Sequence, residues 1–224
     1  MKVAMDCACC VVMMLLAMVG GSGVIGGADG KHKPLPSAMT TGKMSLEEAI
    51  AQRRSVRQFV DKALRLDAIG QLCWAGQGMT DPSRGFRASP SAGALYPIEL
   101  YVVTAEGVDH YEPKSHSLAR HLTGDLRPEL QRAALGQEAV GRAPACVVVT
   151  AIVERSARKY GGRAERYCFM EAGHVAQNIL LQATALRLVG VPIGAFEDPE
   201  VVKVLKLPPR HRIIYIVPVG HPGP

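Results

Sequence analysis

The chain has 224 residues, 48% of them hydrophobic and 21% charged, with a formal net charge of +6. That length holds one domain with a sizeable core and is short for two, and the composition excludes a disordered chain. Aromatic residues reach only 5%, which argues against a stacking platform for single-stranded nucleic acid, and the basic excess is spread without a charge run, as suits an anionic ligand or ordinary solvated faces.

Residues 1–30 differ from the rest. No charged residue occurs from Cys7 to Ala28, and Val11 to Val19 is continuously apolar. Such a leader fits a secretory signal peptide or a membrane anchor. Asp6 and the want of a clean Ala-x-Ala site count against the first, and the glycines that follow the apolar run count against a spanning helix. Cys7, Cys9 and Cys10 precede the apolar run, against the order of a lipoprotein signal. The competing reading is a start at Met44 with an over-extended leader. Export or anchoring follows from the first reading and a cytoplasmic protein from the second, with any membrane contact confined to the leader.

Gly21-Ser22-Gly23-Val24-Ile25-Gly26 matches G-x-G-x-x-G. That motif works by presenting helix N-terminal amides to a pyrophosphate. The following Gly27-Ala28-Asp29-Gly30-Lys31-His32-Lys33-Pro34 cannot be a helix, so a dinucleotide turn is rejected. The Pro- and Gly-rich stretch that follows reads as a flexible linker, placed over residues 31–43, before a folded body over 44–224.

Ser45-Leu46-Glu47-Glu48 is a capping box that opens a helix with Leu46, Ala49 and Ile50 on one face. It runs into Arg53-Arg54-Ser55-Val56-Arg57. Arginine's planar fork matches phosphate, although cations also simply favour a helix C-terminus. A second amphipathic helix is predicted over Leu66 to Gln77. The loop Arg87 to Pro97 is rich in small residues and allows close approach to a flat ring, or serves only as a tight turn. Strands are predicted over Glu99 to Thr104, Ala145 to Ile152 and Arg212 to Val219, with a long helix from Arg163 to Leu188 between the last two. His110, His116 and His121 fall in a turn-rich region without ligand spacing, and no metal site is expected. His174 reads as a packed, hydrogen-bonded histidine, and Tyr96 and Tyr101 as core or pocket wall. Cys73 and Cys146 read as small core residues, and no Cys-x-x-Cys pair occurs.

Four motifs occur in order: Arg-Arg-Ser-x-Arg at Arg53, Pro-Ser-Ala-Gly-Ala-Leu-Tyr-Pro at Pro90, Glu-Ala-Gly-His-x-x-Gln-Asn at Glu171, and Val-Pro-Ile-Gly-Ala-Phe at Val191. Together they resemble the nitroreductase superfamily, and more narrowly its SagB-type branch, which includes dehydrogenases of thiazoline- and oxazoline-containing peptides. The resemblance spans about Ser45 to Gly220. It implies an α+β fold, a central mainly antiparallel sheet flanked by helices, and a homodimer with flavin mononucleotide (FMN) at its interface and the long helix packed on its twin.

The resemblance further implies that Arg53, Arg54, Ser55 and Arg57 hold the phosphate and ribityl chain. Pro90, Ser91, Ala92, Gly93 and Ala94 match a loop that reaches FMN from the second subunit. Gln137 matches an amide facing the isoalloxazine ring, and Ile193, Gly194 and Ala195 a segment whose backbone amide points at flavin N5. Lys159 and Tyr160 resemble the Lys-Tyr pair of the azoline dehydrogenases and are the candidates for proton handling. Taken without the resemblance, they read as a solvated loop. The implied activity is hydride transfer to or from a small molecule or peptide azoline, with NAD(P)H as an electron donor. Many relatives extend past the last strand with a tail that adds basic phosphate ligands. This chain ends at Gly220-His221-Pro222-Gly223-Pro224, so the phosphate site is expected to rest on Arg53, Arg54 and Arg57. Two other readings are a flavin-binding or flavin-consuming protein with little turnover and a membrane-tethered binding module.

Overall fold

A computed structural model describes residues 32–223. The leader, its cysteines and the Gly21–Gly26 motif lie outside the described residues. His32–Pro34 form strand β1, which pairs with a later strand, and Leu35 is buried in the core. The stretch expected as a flexible linker thus supplies a sheet edge. Ser45 opens helix α1 (Leu46–Gln52) through the predicted capping box: its hydroxyl accepts from the Glu48 amide at 3.1 Å, and the Glu48 carboxylate accepts from the Ser45 amide at 2.9 Å. Helix α2 (Leu66–Gln77) has the predicted bounds. A small hairpin of β2 (Met79–Asp81) and β3 (Phe86–Arg87) leads to the small-residue loop, which contains one 3₁₀ turn at Ala92–Ala94.

The sheet is then laid down by β4 (Ile98–Thr104), β5 (Gly107–Glu112), β6 (Ser117–Thr123), β7 (Ala145–Ile152), β8 (Val189–Gly190) and β9 (His211–Gly220). Its order is β1-β6-β5-β4-β7-β9-β8, and every strand pair is antiparallel. Helices α3 (Arg127–Ala133) and α4 (Glu138–Arg142) lie between β6 and β7 in the chain. Helices α5 (Val153–Tyr160) and α6 (Ala164–Ala185) follow β7, and α7 (Asp198–Val204) precedes β9. β7 is apolar apart from Thr150 because both faces of the sheet are covered, so alternation is lost. On one face Leu100, Val102, Val147 and Val149 pack with Leu72 and Cys73 of α2 and Ile179 of α6. On the other Tyr101, Val103 and Val148 pack with Leu130 of α3, Val140 of α4 and Val201 of α7.

Cys73 and Cys146 are fully buried, and burial pushes both thiols up to about 12. The expected turn-rich region around the histidines is instead the β5–β6 hairpin, with His110 and His121 on strands and His116 in the turn at φ 46°. Polar residues on these strands hide their alternation. His174 is exposed on α6, against the packed histidine expected. Lys159 and Tyr160, expected in a loop, end helix α5.

Candidate functional site

The Arg53–Arg57 segment leaves α1 and is fixed against the sheet edge. Ser55 bridges Gly190 in parallel, and the Val56 amide donates to the Gly190 carbonyl at 3.1 Å. A Cβ at Gly190 would lie 2.8 Å from the Pro218 carbonyl oxygen, so the close approach of β8 to β9 favours glycine there. Arg54 Nη1 donates to the carbonyls of Ala51 and Arg53 at 2.9 and 2.8 Å, capping the end of α1 as the plain helix-terminus reading expects. Its Nε and Nη2 have no acceptor among the described residues. Arg53, Arg54 and Arg57 have no carboxylate partner among the described residues. Nor has Arg187, whose Nη1 donates to Gln52 Oε1 at 3.3 Å. Four guanidiniums without acids at one edge of the sheet fit a phosphate dianion. Sequence reading missed Arg187 because it stands alone after a helix end.

From Gly190 the chain runs beside β9 toward Ile193, which bridges Ile216, and on to Gly194 beside Tyr215. The Ile193 amide donates to the Ile216 carbonyl at 2.8 Å, so it is engaged in pairing and is not free for a ligand. Within the segment expected to present a backbone amide to N5, that leaves the amides of Gly194 and Ala195. The Gly194 and Ala195 amides have no acceptor among the described residues and lie on exposed backbone. Gln137, before α4, donates through Nε2 to the carbonyls of Ala195 and Ala134 at 2.8 and 3.1 Å. Its amide nitrogen is therefore spent, leaving Oε1 as the group it can offer. A cleft of ≈ 310 Å³ opens beside Gly194, lined also by Phe169, Phe196, Arg212 and Tyr215. Cations at one end and free amides at the other thus flank one extended segment.

The Pro90–Ala94 loop is anchored separately. Buried Glu171 of α6 accepts from the Ala92 amide at 2.9 Å, and Asn178, two turns on, donates to Ser89 Oγ at 3.1 Å. Burial raises the pKa of Glu171, partly offset by the Ala92 amide and Ser91. Gly93 has φ 62°, and a Cβ there would lie 2.7 Å from Tyr160 Oη and 2.9 Å from Lys159 Nζ. The absent side chain is what lets both tips reach the loop. The Lys159 ammonium also lies 5.5 Å from the Tyr160 ring centroid.

Within one chain these two groups stay apart. Glu171 faces the loop and Phe169 the Gly194 cleft, and two residues of helix separate their directions by about 200°. The structure therefore joins Arg53–Arg57 with Gly190–Ala195 and Gln137, and joins Pro90–Ala94 with Lys159–Tyr160.

The profile of the nitroreductase family matches residues 50–221, well over half of the chain. MJ1384 of Methanocaldococcus jannaschii, which bears the nitroreductase name, is 41% identical over 184 residues, covering 80% of this chain and 91% of that protein. McbC of Escherichia coli, a microcin B17-processing protein, is 30% identical over 165 residues, covering 68% of this chain and 60% of McbC. A crystal structure from Ralstonia eutropha, also bearing the nitroreductase name, is 26% identical with a TM-score of 0.79, covering 88% of this chain and 92% of that one. The antiparallel α+β fold, the four ordered motifs and these likenesses agree: the chain belongs to the nitroreductase family of oxidoreductases.

Proposed function

We propose that the protein is an FMN-dependent oxidoreductase that moves hydride to or from a small molecule or a peptide azoline. The observation that carries this reading is the pairing of four acid-free guanidiniums at the Ser55–Gly190 junction with the free Gly194 and Ala195 amides farther along the same segment. A phosphate-bearing planar cofactor needs both. The arginines and Ser55 hold the phosphate end by charge-assisted bonds, while Gln137 Oε1 and the Gly194–Ala195 backbone orient the ring. FMN supplies two-electron hydride chemistry at N5 when bound.

The site is completed by a second copy of the chain, whose Pro90–Ala94 loop brings Gly93, Lys159 and Tyr160 to the ring. Two features support a homodimer: the loop and the Gly194 cleft lie on opposite sides of α6, and α6 exposes Phe169 and Met170 at 41% and 54%. Leu46 and Ile50, on the apolar face of α1, are likewise exposed at 62% and 55%. Reduction of a carbonyl or quinone by hydride leaves an oxyanion that needs one proton, and oxidation of an azoline releases one. The Lys159 ammonium and Tyr160 hydroxyl are the groups placed to give or take it.

The first test is optical. Purified protein is expected to carry flavin absorbance, or to acquire it on adding FMN, and to oxidise NADH or NADPH with a naphthoquinone acceptor. Colourless protein that takes up no FMN would refute the flavin site, and a flavin-loaded protein without turnover on any such donor would mark a binder instead of an enzyme.

A further inference from the structure

Outside that site, the densest group of titratable side chains surrounds Glu99 on β4. Its side chain is only 9% exposed, yet both oxygens are engaged by cationic partners: Arg155 Nη1 donates to Oε1, and His110 Nε2 donates to Oε2 at 2.7 Å. His110 Nδ1 also donates to Glu112 Oε1 at 2.9 Å. Two carboxylates accept from the two ring nitrogens, which requires both nitrogens to carry protons, so His110 is an imidazolium. Arg155 Nη1 also donates to the Tyr96 carbonyl at 3.0 Å.

Tyr96 closes the small-residue loop in a left-handed conformation, at φ 46°. Such a backbone persists in a tyrosine only when its surroundings over-determine it. They do so here: the Tyr96 amide donates to Ser91 Oγ at 2.8 Å, its hydroxyl accepts from the Arg87 amide at 3.1 Å, and the Arg87 guanidinium lies 4.8 Å from its ring centroid. Arg155 and Lys159 are four residues apart on α5, so they lie on the same face of that helix. That face meets the loop at two points, with Arg155 at Tyr96 and Lys159, with Tyr160 beside it, at Gly93.

We propose that Arg155, held by buried Glu99, is a positioning residue that seats α5 on the loop so that Lys159 and Tyr160 reach over Gly93. This rests on the reading of Lys159 as a proton-handling group. Without Arg155 the first turn of α5 loses its grip on the Tyr96 carbonyl, and Glu99 keeps His110 as its cationic partner. A misplacement of the order of 1 Å at a reacting group costs up to about 100-fold in rate.

The test is a double-mutant cycle on kcat, expressed per bound flavin, with a naphthoquinone acceptor whose reduction takes up protons. Arg155→Met and Lys159→Met should each lower kcat by roughly 10- to 100-fold. The double variant should lose clearly less than the product of the two single losses, because Arg155 acts through Lys159 and the neighbouring Tyr160. Flavin content should stay close to wild type in all three, since the phosphate end lies on other elements and the loop keeps its anchors to Glu171 and Asn178. Arg155→Lys, which returns a cation to Glu99, should recover part of the loss, and Arg158→Gln, at an exposed position of α5, should behave as wild type. If Arg155→Met does not fold, Glu99→Gln replaces it in the same cycle.

Losses that multiply in the double variant would overturn the positioning role while leaving Lys159 as a proton-handling group. An unchanged kcat per flavin in Arg155→Met would also overturn it. An unaffected Lys159→Met would instead refute the role of Lys159, and the positioning role would fall with it.

Discussion

At the scale of single residues, Gly93 carries the most demanding geometry in the candidate site. Its φ of 62° and the nearness of Tyr160 Oη and Lys159 Nζ impose two separate requirements for a missing side chain. Gly93→Ala should therefore cost on the order of 1 kcal/mol in stability through backbone strain. It should also displace both side-chain tips, lowering turnover more than flavin content; a melting curve and a turnover assay on the same preparation separate the two effects. The residues legible in sequence were those in dense or ordered patterns, such as Arg53, Arg54 and Arg57 and the Pro90–Ala94 loop. Arg187 was not, because a single arginine after a helix carries no pattern until Gln52 and Gly190 are folded beside it. The engagement of the Ile193 amide in pairing was equally invisible, since it depends on which strand lies alongside.

Among elements, legibility followed apolar pattern. β7 and α2 keep their predicted bounds, because an uninterrupted buried strand and an amphipathic helix leave clear periodicity. The β5–β6 hairpin was missed because Asp109, His110, Glu112, Arg120 and His121 satisfy one another or neighbouring groups, where a core pattern would show. Helix α5 was missed for a related reason: Val153–Tyr160 is mostly polar, with Ser156 its one buried residue, and Arg155 ties it to Glu99. That polar network has a pH signature. Burial pulls the pKa of His110 down, but Glu99 and Glu112 outweigh it and leave a net rise above 6.5. Burial pushes Glu99 up, but His110 and Arg155 outweigh it and leave a net fall below 4.5. The His110 contribution is complete below pH 6.5 and is lost as pH rises through its elevated folded value. The Glu99 contribution is complete above pH 4.5 and is lost as pH falls through its depressed one. His110→Gln should therefore lower the melting temperature most at about pH 5–6 and progressively less at higher pH; a pH-independent difference would contradict the imidazolium. In the core between α6 and the sheet, Ile179→Ala should cost about 2–5 kcal/mol, or roughly 4–20 °C in melting temperature.

For the whole molecule, the described residues build a sheet closed on both faces and leave large apolar side chains of α6 and α1 uncovered. Phe169, Met170, Leu46 and Ile50 are more exposed than such residues are in an isolated, finished core. If a second copy covers them, Met170→Glu, outside the Gly194 cleft, should shift the mass measured by light scattering from dimer to monomer. It should also remove bound flavin, because the loop of the second copy leaves with it; a flavin-loaded monomer would contradict the composite site. The α+β class was legible from the order of strands and helices. The separation of the site into two groups on opposite sides of α6 was not, because sequence order does not show which side of a helix faces which neighbour.

The central claim is that the cations after α1 hold a flavin phosphate, and fluorescence titration of apoprotein with FMN tests it most directly. Wild type should bind saturably, and Arg54→Ala should weaken FMN affinity by about 10- to 100-fold, as expected when a charged hydrogen-bond partner of a phosphate is removed. Because Arg54 also caps α1, Arg57→Ala serves as the companion variant and should weaken binding in the same direction. Equal FMN affinity in wild type and both variants would contradict the account.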